Sequence, residues 1–391
     1  MATGVLVVGC TGALLEAYDA ADTSRCIDTT SLYAGISSGT INGAAWSPDG
    51  TLLALALSVS PYLAVVDTAT GATVELSSNP ANAGNGVAWS PDGTRLAVAH
   101  GTAPYLTVYE TAGWTKLTFT STAPEGTGQS CAWSPDGTML AVGHVTSPYL
   151  SVYNVATGTR ISLVGGNPAG TGLGVSWSPD GTRLAVAHST TPFLTVYNTA
   201  DWSKVTIAGG APAGVGRACA FNIDGSRLAV AHATSPYLTV YNAADWSKRT
   251  LSSNPTGTGN GVTWSPDGTR LALAHTTAPC LTVYSATTLA KVTWANSPAN
   301  QGNCCTWRAA APLRVAAVAP NVVKDDAGAP ASRVHRIYRR ANGDLLGVRT
   351  SSAGGEYSAP FLTGMPVQVV VLDDDDGAVY NDKILGRVIP A

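Results

Sequence analysis

Trp89-Ser90-Pro91-Asp92-Gly93-Thr94-Arg95-Leu96-Ala97 is the stretch from which the fold can be read. Ser-Pro-Asp-Gly is a turn: proline presets φ, the aspartate side chain bonds nearby backbone, and glycine supplies the left-handed position. Beyond it, 95–100 alternates, with Leu96, Val98 and His100 on one face and Ala97 and Ala99 on the other, which reads as a strand. Before it, 86–89 reads as a shorter strand. Further out, 101–104 turns the chain, 105–110 is a third strand and 116–119 a fourth. The unit then recurs. Trp46, Trp89, Trp133, Trp177, Phe221, Trp264 and Trp307 are separated by 43, 44, 44, 44, 43 and 43 residues. Ser-Pro-Asp-Gly follows at 47–50, 90–93, 134–137, 178–181 and 265–268. The fifth copy reads Asn222-Ile223-Asp224-Gly225, and Arg308-Ala309-Ala310-Ala311 has lost the motif. A period of about 40–45 residues with four short strands per unit is the signature of propeller blades.

Repeats beginning near 43, 86, 130, 174, 218 and 261 are each expected to carry all four strands, which makes six blades. The seventh copy offers only 304–307. Its missing strands are available at the other end of the chain: 5–9 as the second, 13–18 as the third, with Leu15 and Tyr18 in the register of Leu106 and Tyr109, and 26–32 as the fourth. The sequence therefore predicts an all-β chain: a seven-bladed β-propeller over 1–312, closed by N- and C-terminal strands in one shared blade, which leaves no open sheet edge. Composition shifts after about 312. Residues 313–391 hold 18 of the 47 charged side chains, and the tryptophan repeat stops. Segments 315–323, 333–339, 345–350, 356–361, 367–372 and 383–389 read as strands, with 324–328 a turn and Val334 and Tyr338 facing inward. They predict a small C-terminal β-sandwich over 313–391. Segment 314–318 also has the pattern of a second blade strand.

Charged residues are only 12% of the 391, and the net charge is −3. No basic run offers phosphate contacts, so neither nucleic-acid binding nor membrane-surface binding is expected. No stretch approaches the 18 apolar residues of a membrane span. The start, Met1 to Val8, lacks a basic region and has a very short apolar run, which disfavours an ordinary signal peptide. Seven cysteines (10, 26, 131, 219, 280, 304 and 305), odd in number and without framework spacing, fit synthesis in a reducing cytoplasm.

Several residue sets invite a chemical reading. His100, His144, His188, His232 and His275 recur at the end of the second strand, where the first repeat has Leu57. Equivalent positions on successive blades stand too far from the axis to converge on one metal ion, whose bonds to nitrogen are about 2 Å. Each histidine is expected to satisfy a backbone or hydroxyl group of its own blade, supplied for example by 189–191 or 233–235. Asp49, Asp92, Asp136, Asp180 and Asp267 cap their turns. Catalysis needs unlike groups facing one substrate, and these sit one to a blade. Cys304-Cys305 reads as a pair of small buried hydrophobes. Trp114, Trp202 and Trp246, between third and fourth strands, either pack on their own hairpin or stack on a sugar ring. Asp373-Asp374-Asp375-Asp376 has the oxygen ligands calcium needs, but a solvated turn explains the run as well. No nucleophile elbow, His-Glu-x-x-His or phosphate loop occurs. The blade-joining loops at 77–85, 121–129, 165–172, 209–216, 252–259 and 295–303 are expected on one face. They are rich in Asn, Thr, Gly and Pro, and the only charges they supply are Glu125 and, directly after 209–216, Arg217. Positions 79–85, 122–129, 167–173 and 254–260 are the candidate contacts for a protein partner or glycan hydroxyls.

The Trp-Ser-Pro-Asp-Gly-Thr-Arg-Leu-Ala segments at 89–97, 177–185 and 264–272 resemble the repeats of WD-like and TolB-like β-propellers. That resemblance covers about 300 residues and speaks for fold, because propellers host many activities. In place of the Trp-Asp ending of a WD repeat stand Tyr109-Glu110 and Tyr153-Asn154. The tail is similar to transthyretin-like, or carboxypeptidase-regulatory-like, β-sandwiches. The residues that carry this are Arg336-Ile337-Tyr338-Arg339-Arg340-Ala341-Asn342-Gly343-Asp344-Leu345-Leu346-Gly347, Val369-Val370-Val371-Leu372-Asp373-Asp374, Tyr380-Asn381-Asp382 and Arg387-Val388-Ile389-Pro390. Such domains end structural proteins of tailed bacteriophages. The resemblance implies a non-enzymatic virion component of the tail, fibre or baseplate, with no catalytic residue, cofactor or metal. It would be made in the host cytoplasm and act in assembly or host attachment. Its partners would be other virion proteins in a symmetric assembly and a host-surface glycan or receptor. The alternatives are a bacterial propeller scaffold for protein–protein interaction and a virion head or decoration protein. A propeller enzyme would need paired acids or metal ligands on one face.

Overall fold

A computed structural model describes residues 5–12, 15–19, 26–27, 39–68, 70–117, 123–293, 297–298 and 300–308. In the C-terminal region it describes six strands: Leu313–Val315, Val334–Arg339, Leu345–Thr350, Tyr357–Ala359, Val367–Val371 and Lys383–Val388. No helix occurs among these residues, so none is long and apolar enough to cross a membrane. The chain divides into two compact units, Gly4–Ala309 and Met1–Thr3 with Ala310–Ala391.

The first unit repeats one antiparallel sheet. In the fourth repeat, Gly172–Trp177 pairs with Arg183–His188, which pairs with Leu194–Asn198. The Ser-Pro-Asp-Gly turn between the first two strands closes as its residues require: Asp180 Oδ1 accepts from Ser178 Oγ at 2.5 Å and from the Thr182 amide at 3.0 Å, and the Gly181 amide donates to the Ser178 carbonyl. The seventh sheet is assembled from both ends of the unit, in the order Gly302–Arg308, Val5–Cys10, Leu15–Asp19, Cys26–Ile27. Trp307 stands opposite Leu6, and Leu6 opposite Tyr18. Residues 28–32, the rest of the expected fourth strand, lie outside the described residues.

Four strands per repeat is too many for three of the sheets. Those beginning at Ile41, Gly128 and Gly172 have three strands. Single bridges, Val66↔Thr73, Tyr153↔Arg160 and Tyr197↔Lys204, hold the fourth position. The fourth strand is the outer edge of each sheet, with one neighbour and exposed side chains such as Thr115 and Lys116. It lacks the two-sided packing that fixes the inner strands, so its ladder shrinks.

Burial lies between sheets. Each of seven apolar clusters joins two consecutive sheets. Leu150 and Val152 of one meet Trp177, Leu184 and Val186 of the next, and the other repeats follow suit. The two-ended sheet takes part on both sides: Leu6, Val8, Tyr18 and Trp307 pack on Ala272, Leu281 and Val283, while Val7, Leu15 and Ala17 pack on Ile41, Leu53 and Leu55. The indole N–H adds a latch across these joints. Trp89, Trp133, Trp177 and Trp264 donate to the carbonyls of Ala45, Ala88, Ala132 and Ala220 in the preceding sheet, at 3.0–3.1 Å. Phe221 lacks that donor, and its own amide instead donates to Ser176 Oγ at 3.1 Å.

The C-terminal unit contains a four-stranded sheet, in the order Leu345–Thr350, Val334–Arg339, Val367–Val371, Lys383–Val388, and a two-stranded one. Leu313–Val315 pairs with Tyr357–Ala359, so the start of 314–318 belongs to this unit. The expected turn at 324–328 and the run Asp373–Asp376 lie outside the described residues.

Candidate functional site

The first strand of every sheet begins with a buried small residue or Ile41, and the residue after it turns toward a shared central cavity. Asn42, Asn85, Gln129, Leu173, Arg217, Asn260 and Asn303 occupy that position, and all seven line one cavity of about 430 Å³. In six of the seven sheets glycine stands just before it. A Cβ on Gly172 would lie 2.4 Å from the Tyr149 carbonyl oxygen in the preceding sheet, closer than any side chain tolerates. In six of the seven sheets the strands converge at the centre because this position has no side chain, and in the first, Ile41 is accommodated by the absence of one at Gly9. Deeper in the cavity lie Ala44, Val87, Cys131, Val175, Cys219, Val262 and Cys305. Among the described residues Arg217 is the one charged residue in the lining.

The joining loops reach this mouth only with their last residues. Their earlier parts are fastened along the outer edge of the following sheet. The Gly165 amide donates to the Trp202 carbonyl, Tyr197 Oη to the Gly166 carbonyl at 2.8 Å and Lys204 Nζ to the Asn167 carbonyl at 2.7 Å. Tyr109 and Lys116 hold 78–79, and Tyr241 and Lys248 hold 210–211, in the same way. Each loop also buries a proline: Pro80, Pro124, Pro168, Pro212 and Pro255. The loops are thus preset rather than loose. Of the positions singled out in the sequence, Asn85, Gln129, Leu173 and Asn260 line the mouth, whereas Asn79 and Asn167 spend their carbonyls on the scaffold. Arg217 belongs to the first strand Gly216–Phe221 and not to a loop. Asn42 and Asn303 escaped the sequence reading. Their signal was the residue two places before Ala44 and Cys305, in step with Asn85 and Asn260.

The remaining candidates are structural. Each repeated histidine is fully buried, with Nε2 2.9–3.0 Å from a hydroxyl seven residues on: Thr107, Ser151, Thr195, Thr239 or Thr282. The hydroxyl partner is therefore on the third strand, while the turns at 189–191 and 233–235 contribute backbone, since Thr190 and Thr234 act on His188 and His232 against the effect of burial. Burial pushes the imidazolium of His100, His188, His232 and His275 down to about 4. His144 is also lowered by burial, partly offset by Glu125, whose Oε2 lies 3.8 Å from its Nε2 and which pairs with Arg160. The hydroxyls of Ser90, Ser134 and Ser178 hold the turn carboxyls of Asp92, Asp136 and Asp180 below the ordinary carboxylate range. Trp202 and Trp246 are buried. Trp202 meets Trp177 edge-on at 6.1 Å, and Trp114 meets Trp89 at 5.9 Å, so these rings pack on their own sheets. Cys304 and Cys305 are half-buried and both line the cavity, so they are not the fully buried pair expected, though desolvation pushes both thiols up to about 12. Among the described residues no group of three or more His, Cys, Asp or Glu is placed to hold a metal ion.

Comparison with known proteins places the repeats. The family model of eukaryotic translation initiation factor eIF2A matches residues 58–203, which run from the first sheet into the fourth. No curated protein matches the chain. Among solved structures, Kuenenia stuttgartiensis hydrazine synthase is similar with a TM-score of 0.53 and 17% identity, over 63% of this chain and 76% of that one. At that identity the likeness speaks for the fold alone. The first unit is a β-propeller of WD-like repeats.

Proposed function

We propose that this chain is a non-enzymatic binding protein that presents the mouth of a closed, seven-bladed propeller to a partner. In its finer form the proposal is a structural component of a tailed-bacteriophage virion, in the tail, fibre or baseplate, acting in assembly or attachment to the host surface. The observation that carries the binding reading is the loop architecture: polar, almost uncharged loops, of which those at 77–85, 165–172, 209–216 and 252–259 are bonded to the following sheet, end at the mouth of a cavity of small-ligand size. Closure in seven blades is supported by the pairing of Val5–Cys10 with Gly302–Arg308 and by the packing of that sheet on both neighbours. The virion form rests on the resemblance of 313–391 to transthyretin-like sandwiches.

The test is to band virions from cells carrying the gene by density and to probe them with antibody against the chain. The virion reading expects the chain in the band, at a fixed ratio to other particle proteins, with gold label at the tail. Label on the head would make it a decoration protein. A chain found only with host proteins would replace the virion form with a bacterial interaction scaffold, a role the WD-like repeats suit equally.

A further inference from the structure

Seven equivalent positions surround the cavity mouth, and they divide into two sectors. Four consecutive ones are asparagines wired to their neighbours. Asn260 Nδ2 donates to the Gly302 carbonyl at 2.9 Å, Asn303 to Ile41 at 3.4 Å, Asn42 to Gly84 at 2.9 Å and Asn85 to Gly128 at 2.8 Å. Donation to a carbonyl fixes which end of each amide faces the neighbour, because an amide oxygen there would oppose the carbonyl oxygen. Asparagine at this position therefore has a structural role: it ties each first strand to the next.

The other three positions, Gln129, Leu173 and Arg217, are also consecutive, and none repeats that bond. Gln129 and Arg217 make no side-chain hydrogen bond or ion pair with any described residue. Arg217 is exposed and, among the described residues, is the only charged group in the lining, with no described carboxylate there to neutralise it. The departures from the wired pattern thus lie side by side and bring together three unlike groups: an amide, an apolar side chain and a guanidinium.

We propose that this sector binds a hydroxylated monocarboxylate of the uronic-acid class. A planar guanidinium takes a carboxylate through two parallel hydrogen bonds. Leu173, beside it, offers an apolar surface to the C–H face of a sugar ring. Gln129 on one flank supplies donors and an acceptor for ring hydroxyls, and the Oδ1 of Asn260 on the other, whose Nδ2 is tied to Gly302, adds an acceptor. Among the described residues the lining has no acid to receive an ammonium group, which disfavours amino acids and amines. One cation suits a single negative charge. The cavity, about 430 Å³, lies within the roughly 300–1,000 Å³ of small-ligand sites. The inference rests on the binding-protein reading above but not on its virion form.

The experiment is calorimetric titration of the full chain with D-glucuronate, D-glucose and acetate, repeated on Arg217→Gln, Arg217→Lys and Gln129→Ala. D-glucuronate is expected to bind saturably, with glucose and acetate each at least about tenfold weaker, since each lacks one half of the recognition. Arg217→Gln should weaken glucuronate by at least about tenfold, and Arg217→Lys by less, because it keeps the charge and loses the fork. Arg217 is exposed and unbonded, so the Gln variant should melt with the wild type, and a loss of binding is then local. Absence of saturable glucuronate binding, equal affinity for glucose, or an unaffected Arg217→Gln variant would overturn the proposal. So would an Asp-bearing peptide that displaces glucuronate and binds more tightly. If glucuronate fails while a macromolecular partner still binds the loop face, this site is wrong and the binding reading survives. If glucuronate binds but the chain is absent from virions, only the virion form is lost.

Discussion

Each buried histidine is half of a pair, and the pair varies as a unit. Where His100, His188, His232 and His275 stand, the residue seven places on is threonine, and with His144 it is serine. In the first sheet both halves change together, to Leu57 and Ala64. In the two-ended sheet the corresponding positions hold Cys10 and Glu16. His188→Leu alone should strand the buried Thr195 hydroxyl, at about 1–3 kcal/mol. His188→Leu with Thr195→Ala recreates the first-sheet pair, and its urea midpoint should lie closer to wild type than that of the single variant. A double variant that is worse than the single one would show that the pair is not a unit. The pairs also set a pH response. Folding lowers the four histidines from the ordinary value near 6.5 to about 4. Between those limits the unfolded chain binds more protons, so stability falls on acidification, by up to about 1.4 kcal/mol per pH unit for each histidine. The turn carboxyls, lowered by their serine hydroxyls, lose their contribution only as pH falls below the ordinary aspartate value, beneath the histidine window. Urea midpoints should therefore drop steeply between about pH 6.5 and 4, and a flat profile there would contradict the buried neutral state. The recurrence at 44 residues made a structural histidine legible in the sequence. The turn backbone beside it was legible too, but the third-strand hydroxyl was not, because which residue stands across from the histidine depends on register.

At the scale of the element, the first strand was the most legible part of the sheet and the fourth the least. Tryptophan spacing and the turn motif locate the first two strands to within a residue or two. The outer edge has no such marker, since its residues pack against little. The start of the first strand conceals a reciprocal fit. Six sheets open on glycine against the preceding turn, but the first opens on Ile41, and there the facing second strand provides the space with Gly9. A Cβ on Gly9 would fall 2.6 Å from both Ile41 Cγ2 and Cys304 Sγ. Gly9→Ala should lower the melting temperature, by about 1–3 kcal/mol of overpacking, and Ile41→Ala in the same chain should recover part of the loss. If Ile41→Ala simply adds its own cavity cost, the two side chains do not share that space.

Over the whole molecule, the sequence arithmetic found the two-ended sheet because the seventh tryptophan, Trp307, came without strands of its own. The mouth sector was harder to see: Gln129, Leu173 and Arg217 are unremarkable until seven strands are laid side by side. Removing residues 1–27 should expose Ile41, Leu53 and Leu55 on one side and Ala272, Leu281 and Val283 on the other. The shortened chain should bind a hydrophobic dye and unfold at a lower urea concentration than the full chain, whereas unfolding equal to wild type would mean that the N-terminal strands are dispensable. The same pairing governs the order of events during synthesis. Val5–Cys10 can join Leu15–Asp19 as soon as both leave the ribosome, but its other edge has to wait for Gly302–Arg308. At about 5–20 residues per second that delay is roughly 15–60 s. Through that interval the nascent chain carries a bare strand edge, a template for misassociation with its neighbours on the same message. The last residues of the repeat array therefore act as a clasp, and the yield of folded protein should depend on how well a holding chaperone covers that edge until the clasp is translated.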